Sequence, residues 1–456
     1  MRFRDSSRAI IAAAIALCSI TTTYAERVFR SEFAPYLTRQ EAQIDARRSK
    51  SNYIALKPVS GAKSEGENGM AVQEHTQVLD LPAAWTEGSI FMHLENIKDA
   101  YQLTINGREV ADIQDHLSPY EFDITKYIVQ GKNTIKILTH PTLLPELLPG
   151  IPLNNDPLRE RFIDCYLYTQ ERIHIFDYKA RIVADKNYDY GWLEIEAIVK
   201  NGYNYPEVID VGYDVYDPRK ELVDYSVRKV KINGRSQDTI RWRTRVDRAN
   251  SHRWTSANPG LFSVMLYTRS NSIIHSFISR RIGYTDRTFV NGDMYNFGEK
   301  ETLYTTPYSA IQTTPAKIAT ELRFIRRRGF NTVMVSYPQP LWFYEICDFI
   351  GMYVIEQANI NAAEDDTDRK IGGAPHNDPK LLDEYMSRTK SSYHRTRHCP
   401  SIIAHSLGSK SGNGYNMYKI YEWLKTSEDK RAIIYSGAED EWNSDELNYI
   451  LDRRKP

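Results

Sequence analysis

The sequence predicts a multidomain protein in which all-β domains precede an α/β domain with a parallel sheet. Between about residues 76 and 285, short runs of alternating apolar and polar residues are separated by turn signals roughly every ten residues. After residue 285, short β-branched strands alternate with amphipathic helices. The 456 residues, 41% of them hydrophobic, contain enough apolar side chains for two or three cores.

The charge balance argues against nucleic acid as a partner. The chain has 59 Lys or Arg and 59 Asp or Glu, so its formal net charge is zero. A protein that neutralises a run of backbone phosphates needs a basic excess, which this composition lacks.

The first 25 residues predict a cleaved export signal. Arg2, Arg4 and Arg8 precede an apolar run from Ala9 to Ile20, and the small residue Ala25 ends the segment. The run is too short for a transmembrane helix, which needs about 20 apolar residues. We therefore expect a periplasmic, cell-surface or secreted protein without a transmembrane span. A lipid anchor on Cys18 is the alternative, although bulky Leu17 precedes that cysteine.

Two β domains follow the export signal, over residues 26–175 and 176–284. In the first, period-two runs such as Ile90, Met92 and Leu94 flank the hairpin dipeptide Asn106-Gly107. In the second, the alternation continues and the short, regularly spaced strands predict an immunoglobulin-like sandwich.

The remaining residues, 285–456, predict the parallel α/β domain. Thr314-Pro315 is typical of a helix start and Gly329 of a helix end, and the β-branched run 331–335 is typical of a buried strand. The elements predicted around and after it are a strand near 294–298, helices near 341–349, 380–393 and 415–425, strands at 352–355, 401–407 and 432–435, and a last helix from Ser444 through Leu451.

Five motifs in this order resemble glycoside hydrolase family 2, the group of β-galactosidases, β-glucuronidases and β-mannosidases. The first β domain contains Ser118-Pro-Tyr-Glu-Phe-Asp-Ile-Thr125, and the second contains Trp254-Thr-Ser-Ala-Asn-Pro259. The α/β domain contains Pro340-Leu-Trp-Phe-Tyr-Glu-Ile-Cys-Asp348, Tyr353-Val-Ile-Glu-Gln-Ala-Asn-Ile360 and Pro400-Ser-Ile-Ile-Ala-His-Ser-Leu-Gly408. The last resembles the family's "H-P-S-I-I-x-W-S-L-G".

The resemblance implies the identity of each domain. Residues 26–175 would be a jelly-roll sugar-binding-like sandwich, and 176–284 the immunoglobulin-like sandwich. Residues 285–456 would be a TIM-type barrel of about five strands, because a complete eight-stranded barrel takes roughly 250 residues. The family's nucleophile lies on the seventh strand, which this sequence does not reach.

The resemblance also implies that the chain departs from the family's chemistry. A retaining glycosidase needs two carboxyl groups about 5 to 5.5 Å apart, and the family's acid/base glutamate follows "S-L-G-N". Here Ser409 stands in place of that asparagine and Lys410 in place of the glutamate. A lysine ammonium is a poor proton donor at neutral pH. Asn361 and Ala363 replace a Glu and a His that help to hold magnesium in some relatives. We therefore expect no metal and no cofactor.

These departures favour a non-catalytic protein, a pseudoenzyme that binds glycan or a protein partner. The ligand-binding candidates are His405, Asn359, Asn361, Tyr337 and Trp342, although Trp342 also matches a position that is structural in the family. A protein partner or a homo-oligomer is expected, because five parallel strands leave an open edge and an uncovered inner face. The alternatives are an active exo-β-glycosidase with unusual catalytic residues and a structural component of a cell-envelope complex.

Overall fold

The computed structural model describes residues 25–451, apart from 34, 45–51, 67, 68, 70, 98, 116, 142–161, 163, 271, 272, 309–313, 362–367, 410, 428 and 429. The predicted export signal, including Cys18, and the degenerate acid/base position Lys410 lie outside the described residues. Within the described part of the chain, no helix combines the length and the apolar character that a membrane span requires.

The first domain is a sandwich of two antiparallel sheets. In its described residues the sheet orders are β1-β9-β4-β7 and β2-β3-β8-β5-β6. The inward-facing residues of both sheets and Trp85 form one core. The short helix α1 Arg39–Ile44 precedes these strands but packs on the second domain through Ala42. The elements of the first domain are α2 Ala83–Thr86, β1 Tyr53–Ala55, β2 Val59–Glu65, β3 Ala71–Leu81, β4 Ser89–Leu94, β5 Ala100–Ile105, β6 Arg108–Ile113, β7 Tyr120–Asp123, β8 Gly131–His140 and β9 Tyr166–Gln170.

The second domain is also a β-sandwich, and its strands are longer. Strand β11 alternates buried and half-buried residues along its whole length, as expected of a strand with one face on a core. The sheet order in the described residues is β13-β12-β15-β16-β10-β11-β14. The strands are β10 Ile173–Ala184, β11 Tyr190–Asn201, β12 Glu207–Tyr216, β13 Leu222–Ile232, β14 Ser236–Asp247, β15 Leu261–Ser270 and β16 Ile273–Thr285.

A small antiparallel sheet connects this sandwich to the α/β domain. Its strands are β17 Arg287–Val290, β18 Asp293–Asn296 and β19 Glu299–Glu301. The prediction of a parallel strand near 294–298 is therefore wrong in type. The reason is local, because Asn291 and Gly292 both have positive φ, which makes a tight hairpin turn between β17 and β18.

The α/β domain is a partial barrel with a parallel sheet. Strands β20 to β24 run parallel in chain order, and helices α3 to α6 pack on their outer face. The prediction of a TIM-type barrel of about five strands is confirmed. Its elements are β20 Tyr304–Tyr308, α3 Pro315–Arg327, β21 Thr332–Val335, α4 Leu341–Ile350, β22 Tyr353–Gln357, α5 Leu382–Thr396, β23 Ile402–Ser406, α6 Tyr415–Thr426, β24 Ala432–Ile434 and β25 Ile450–Leu451.

The helix ends follow the sequence signals. The Thr314 side chain accepts a hydrogen bond from the Lys317 backbone N–H and so caps α3, and Pro315 occupies its first turn. Helix α4 ends at Gly351, which has a φ of 73°. At Gly351 a Cβ would lie 2.4 Å from the Ser256 carbonyl oxygen, so any other residue would be both strained and crowded.

The predicted helix from Ser444 through Leu451 is wrong, because this segment is extended and ends in β25. The Asp445 N–H donates to the Ile433 carbonyl at 2.6 Å, and the Asp445 carboxylate accepts from the Ile433 N–H at 2.8 Å. Strand β25 pairs in parallel with β20. The segment thus runs from one edge of the parallel sheet to the other, and its backbone groups pair with the sheet instead of with one another.

The same segment covers part of the inner face of the sheet. Leu447 and Tyr449 pack against the cluster that contains Tyr353, Ile355 and Ala404. The expectation of a partner rests on an open edge and an uncovered inner face of the parallel sheet. Residues 443–451 cover part of that edge and part of that face. A protein partner or a homo-oligomer stays a prediction without that support.

We expect Leu447→Ala to destabilise the chain measurably. The substitution removes apolar contacts that cover the sheet, which should lower the free energy of unfolding by about 2 kcal/mol. Urea denaturation followed by circular dichroism measures this change. Glu446→Ala, at the exposed neighbouring position, is the control and should change stability by less than about 0.5 kcal/mol. Equal effects of the two substitutions would show that Leu447 does not stabilise the chain by covering the inner face of the sheet.

Candidate functional site

The candidate site is the mouth of the partial barrel, where the carboxyl ends of β21, β22 and β23 meet. Gln357 lies at its centre and is 6% exposed. Its Nε2 donates to the Ser336 carbonyl at 2.7 Å and to Ser409 Oγ at 3.4 Å, while Ser406 Oγ donates to Gln357 Oε1 at 3.3 Å. These contacts form a network of neutral amide and hydroxyl groups.

The loop after β23 packs closely on the loop after β22. The Ser409 N–H donates to the Ile360 carbonyl at 3.0 Å, and Ser409 forms a parallel bridge with Asn361. At Gly408 a Cβ would lie 2.4 Å from the Ile360 carbonyl oxygen, so the close approach of the two loops requires glycine. Ser409 and Asn361, both predicted site positions, therefore lie side by side at the mouth.

A buried carboxylate lies one residue from the mouth but faces the other way. Glu356, on β22, accepts hydrogen bonds from Tyr344 Oη at 3.1 Å, Ser392 Oγ at 2.8 Å and Thr396 Oγ1 at 2.6 Å. These donors belong to α4 and α5, so the side chain points into the layer between sheet and helices. Burial, together with the Glu356 carboxylate, raises the pKa of Tyr344 well above its usual value. The hydrogen bonds of Glu356 are thus used in packing.

His405, a predicted ligand-binding residue, is buried in the same layer. Its Nδ1 lies 3.4 Å from Glu356 Oε2, and its ring contacts Tyr393 of α5. An irregularity in the pairing of β22 with β23 places His405 opposite Glu356. The two side chains therefore share the outer face of the sheet, and the geometry gives His405 a packing role.

Asn359 connects the barrel to the first sandwich. Its Nδ2 donates to Asp115 Oδ1 at 2.5 Å, and its carbonyl accepts from Arg388 of α5 at 2.8 Å. The Asp115 carboxylate also accepts from the backbone N–H groups of Leu117 and Ser118. This predicted ligand-binding residue is 1% exposed and lies between two domains.

Tyr337 and Trp342 lie after β21. Tyr337 is buried, and its carbonyl accepts from Gln339 Nε2 at 3.0 Å. The Trp342 indole N–H donates to Asp164 Oδ2 at 3.2 Å, which is a contact with the first sandwich. Of the five ligand-binding candidates, Asn361 is therefore the one that the described contacts place beside Gln357 and Ser409.

Sequence reasoning missed Gln357 and Glu356, although a signal for both was present. Tyr353, Ile355 and Gln357 alternate along one short strand, so they share one face, and the neighbouring Glu356 must face the other side. Since Tyr353 and Ile355 belong to the inner cluster, the same period of two places Gln357 at the mouth.

A second cluster of polar groups lies between domains, at the start of the described chain. Ligand atoms of Glu32, His93 and Glu95 all lie within 4.8 Å of one another, a spacing that suits a metal ion. However, the Arg395 guanidinium of α5 donates to Glu32 at 2.8 Å and to both oxygens of Glu95 at 2.8 and 2.5 Å. The arginine supplies the positive charge that a metal ion would bring, so the group is an ion-pair cluster.

The electrostatics of this cluster follow from its burial. Burial opposes ionisation of Glu95, but Arg395 and His93 outweigh it and lower the pKa of Glu95 to about 2. Burial likewise opposes protonation of His93, but the carboxylates of Glu32 and Glu95 raise the pKa of His93. The carboxylate of Glu95 therefore favours the charged forms of Arg395 and His93, and each of them favours its ionised form.

The architecture defines a class of multidomain protein. Two β-sandwiches precede a partial (β/α) barrel, and loops of the barrel contact the first sandwich. Two family models match the chain, "Glycosyl hydrolases family 2, sugar binding domain" over residues 49–143 and "Glycosyl hydrolases family 2, TIM barrel domain" over residues 313–454. Together they cover about half of the sequence. The chain belongs to glycosyl hydrolase family 2.

Curated relatives include a β-galactosidase of Priestia megaterium, 26% identical over 383 residues, which covers 80% of this chain and 36% of that protein. A β-galactosidase of Psychromonas ingrahamii is 25% identical over 376 residues, with 78% and 35% covered. The chain thus spans about a third of the length of these relatives.

Solved structures show the same fold. A β-glucuronidase of Bacteroides uniformis superposes with a TM-score of 0.66 at 16% identity, covering 80% of this chain and 46% of that one. A β-glucuronidase of Parabacteroides merdae gives 0.66 at 15% identity, with 80% and 48% covered. At such low identity the likeness concerns the fold alone.

We expect Glu95→Gln to remove an acid-sensitive part of the stability. The folded-state pKa of Glu95, about 2, is below its usual 4.5, so its contribution is present above about pH 5 and is lost as the pH falls towards 2. The wild type should exceed the variant in unfolding free energy by on the order of 3 kcal/mol at pH 5.5 and by much less at pH 2.5. Urea titrations at both pH values measure the difference.

The control for this prediction is Glu74→Gln. Glu74 pairs with Lys136 on the surface at 2.9 Å, and both side chains are almost half exposed. An exposed pair should contribute less than about 1 kcal/mol at either pH. A Glu95→Gln deficit that does not shrink on acidification would show that the buried ion pairs do not cause it.

Proposed function

We propose that this chain is a non-catalytic member of its family that binds carbohydrate at the mouth of the partial barrel. The observation that carries the proposal is the neutral network of Gln357, Ser406 and Ser409 at the carboxyl ends of the strands. Amide and hydroxyl groups both donate and accept hydrogen bonds, as sugar hydroxyl groups do. Such a network can orient a sugar without transferring a proton to it.

The position of Glu356 supports binding over cleavage. A retaining mechanism needs two carboxyl groups about 5 to 5.5 Å apart on either side of the glycosidic bond. Glu356 is the acidic residue of β22, and its carboxylate accepts its hydrogen bonds from α4 and α5. At the position that the family gives to its acid/base glutamate, the sequence has Lys410.

The relatives indicate which sugars to test first. Those named above are β-galactosidases and β-glucuronidases, and the chain spans about a third of the curated ones. We therefore propose a β-galactoside or a β-glucuronide as the ligand. The hydrolytic activity of the relatives is not part of this proposal.

We expect Gln357→Leu to weaken sugar binding while the fold is retained. The substitution keeps a similar volume but removes the amide that links Ser336, Ser406 and Ser409. Calorimetric titration with methyl β-galactoside and methyl β-glucuronide should show an affinity loss of about tenfold, equivalent to about 1.4 kcal/mol. Gln237→Leu, at an exposed position of β14, is the control and should bind as the wild type does.

The same protein preparations test the alternative hypothesis that the chain is an active exo-β-glycosidase. We expect no hydrolysis of nitrophenyl β-galactoside or β-glucuronide by the wild type. Turnover that Lys410→Ala abolishes in a folded protein would contradict the non-catalytic proposal. Absence of sugar binding, together with co-purification of one fixed protein partner, would instead favour a structural component.

We also propose that the chain is exported. The apolar run 9–20 after three arginines supports this, and the thiols of Cys165, Cys347 and Cys399 are buried, which would protect them in an oxidising compartment. Burial also raises the pKa of all three thiols and so lowers their reactivity.

We expect the protein recovered from cells to begin at Glu26. N-terminal sequencing or intact-mass spectrometry of the natively expressed chain measures this. Recovery of the uncleaved chain from the cytoplasmic fraction would contradict export, and a diacylglycerol adduct on Cys18 would replace cleavage after Ala25 with lipid anchoring.

A further inference from the structure

A large cleft lies between the second sandwich and the partial barrel, at the opposite end of the barrel from the mouth. Its volume is about 840 Å³, within the range of about 300 to 1,000 Å³ that is usual for ligand sites. One wall is the outer face of β10, β11 and β14. The other wall lies where β23 and β24 begin and is formed by residues 397–400, Ile402, Ser427, Lys430 and Arg431. The cleft is therefore separate from the mouth.

The charge of this cleft is strongly unbalanced. Its described lining residues include nine Lys or Arg and three Asp or Glu, whereas the whole chain has equal numbers of both kinds. Clefts lined by one sign of charge concentrate ligands of the opposite sign. The excess therefore points to an anion.

The sandwich wall alternates cations and carboxylates across neighbouring strands. Arg181 of β10 contacts Glu194 at 2.8 Å, and Arg241 of β14 contacts Glu196 at 2.8 Å. Arg243 of β14 also reaches Glu194, at 3.3 Å. The three arginine side chains are more than half exposed and the two carboxylates are partly exposed, so the wall offers donors and acceptors next to each other along the strands.

Two arginines that line the cleft, Arg287 of β17 and Arg431 of the barrel wall, donate to backbone carbonyls of the barrel. The guanidinium of Arg287 donates to the carbonyls of Pro400 and Ile402 at 2.5 and 3.1 Å, and its Nε is buried without a hydrogen-bond partner among the described residues. Arg431 donates to the carbonyls of Thr396 and Arg397 at 3.3 and 3.2 Å. Burial lowers the pKa of Arg287, and the nearby Arg431 lowers it further while Tyr353 opposes the shift. An anion in the cleft would reduce the electrostatic repulsion between the guanidinium groups of Arg287 and Arg431.

We propose that the cleft binds a linear acidic oligosaccharide, whose uronate carboxylates or sulfate esters would lie against Lys179, Lys430 and the arginines of both walls. The carboxylates of Glu194 and Glu196 favour this ligand over a compact phosphate, because they repel a simple anion but accept hydrogen bonds from sugar hydroxyl groups. We expect an elongated ligand because the sandwich wall of the cleft extends over three strands, β10, β11 and β14.

The test is calorimetric titration of the full chain at low ionic strength with tetragalacturonate and with a sulfated chondroitin tetrasaccharide. Neutral galactotetraose and inorganic tetraphosphate are the comparison ligands. We expect at least one acidic tetrasaccharide to bind, with an affinity that falls as salt is added. Lys179→Glu combined with Lys430→Glu should weaken this binding by about tenfold or more, and Arg241→Gln should weaken it in the same direction.

The matched control combines Lys63→Glu with Lys132→Glu, two exposed positions of the first sandwich. It changes the net charge equally, far from the cleft, and should alter binding by less than about twofold. Equal losses in the two double variants would overturn the proposal, since net charge alone would explain them. Failure of both acidic tetrasaccharides to bind, or equal binding of tetraphosphate, would also overturn it. Because tetragalacturonate is α-linked and the mouth is proposed to bind β-glycosides, Gln357→Leu should leave the binding of tetragalacturonate unchanged.

Discussion

Helix α5 and the residue that follows it hold the three domains together through buried arginines. Arg388 donates to the Asn359 carbonyl and lies 3.8 Å from Asp115 of the first sandwich. Arg395 pairs with Glu32 and Glu95, and Arg397 with Asp177 of the second sandwich. Removal of one member of a buried pair leaves an uncompensated charge, which costs about 3 to 5 kcal/mol. The relative placement of barrel and sandwiches therefore depends on these pairs.

This mode of attachment limits how many residues at the mouth can bind a ligand. Loops at the mouth of a barrel are free to bind ligands only where they are not used in packing, and here several of them contact the first sandwich. Asn359 binds Asp115, and Trp342 binds Asp164. Among the described residues, the polar groups that remain at the mouth centre on Gln357, Ser406 and Ser409. The same loops that would form a sugar pocket thus also form the domain interface.

Much of the fold could be predicted because its signals are local. The cap at Thr314, the ends of α3 and α4 at Gly329 and Gly351, and the short buried strands all follow from neighbouring residues. One of the two errors, the strand near 294–298, came from a local turn at Asn291 and Gly292, and the other arose where distant residues decide. The segment 444–451 has apolar residues at a helical spacing, but hydrogen bonds from Ile433 and pairing with β20 keep it extended.

The site was harder to predict for the same physical reason. Whether His405 faces the helices or the mouth depends on an irregularity in the pairing of β22 with β23, which no local pattern reveals. The carboxylate partners of Arg395 lie about 300 residues away or more in sequence. Predicting such pairs needs the domain arrangement, and the arrangement is itself stabilised by the pairs.

The two ends of the partial barrel differ in chemistry in a way that composition conceals. The mouth has a neutral network around Gln357, whereas the cleft at the opposite end gathers nine cations against three carboxylates among its described residues. A net charge of zero argues against a long polyanion, which interacts with the field of the whole molecule. It does not argue against a short acidic ligand, because within a cleft the nearby charges dominate and distant ones are screened over about 10 Å at 0.1 M salt.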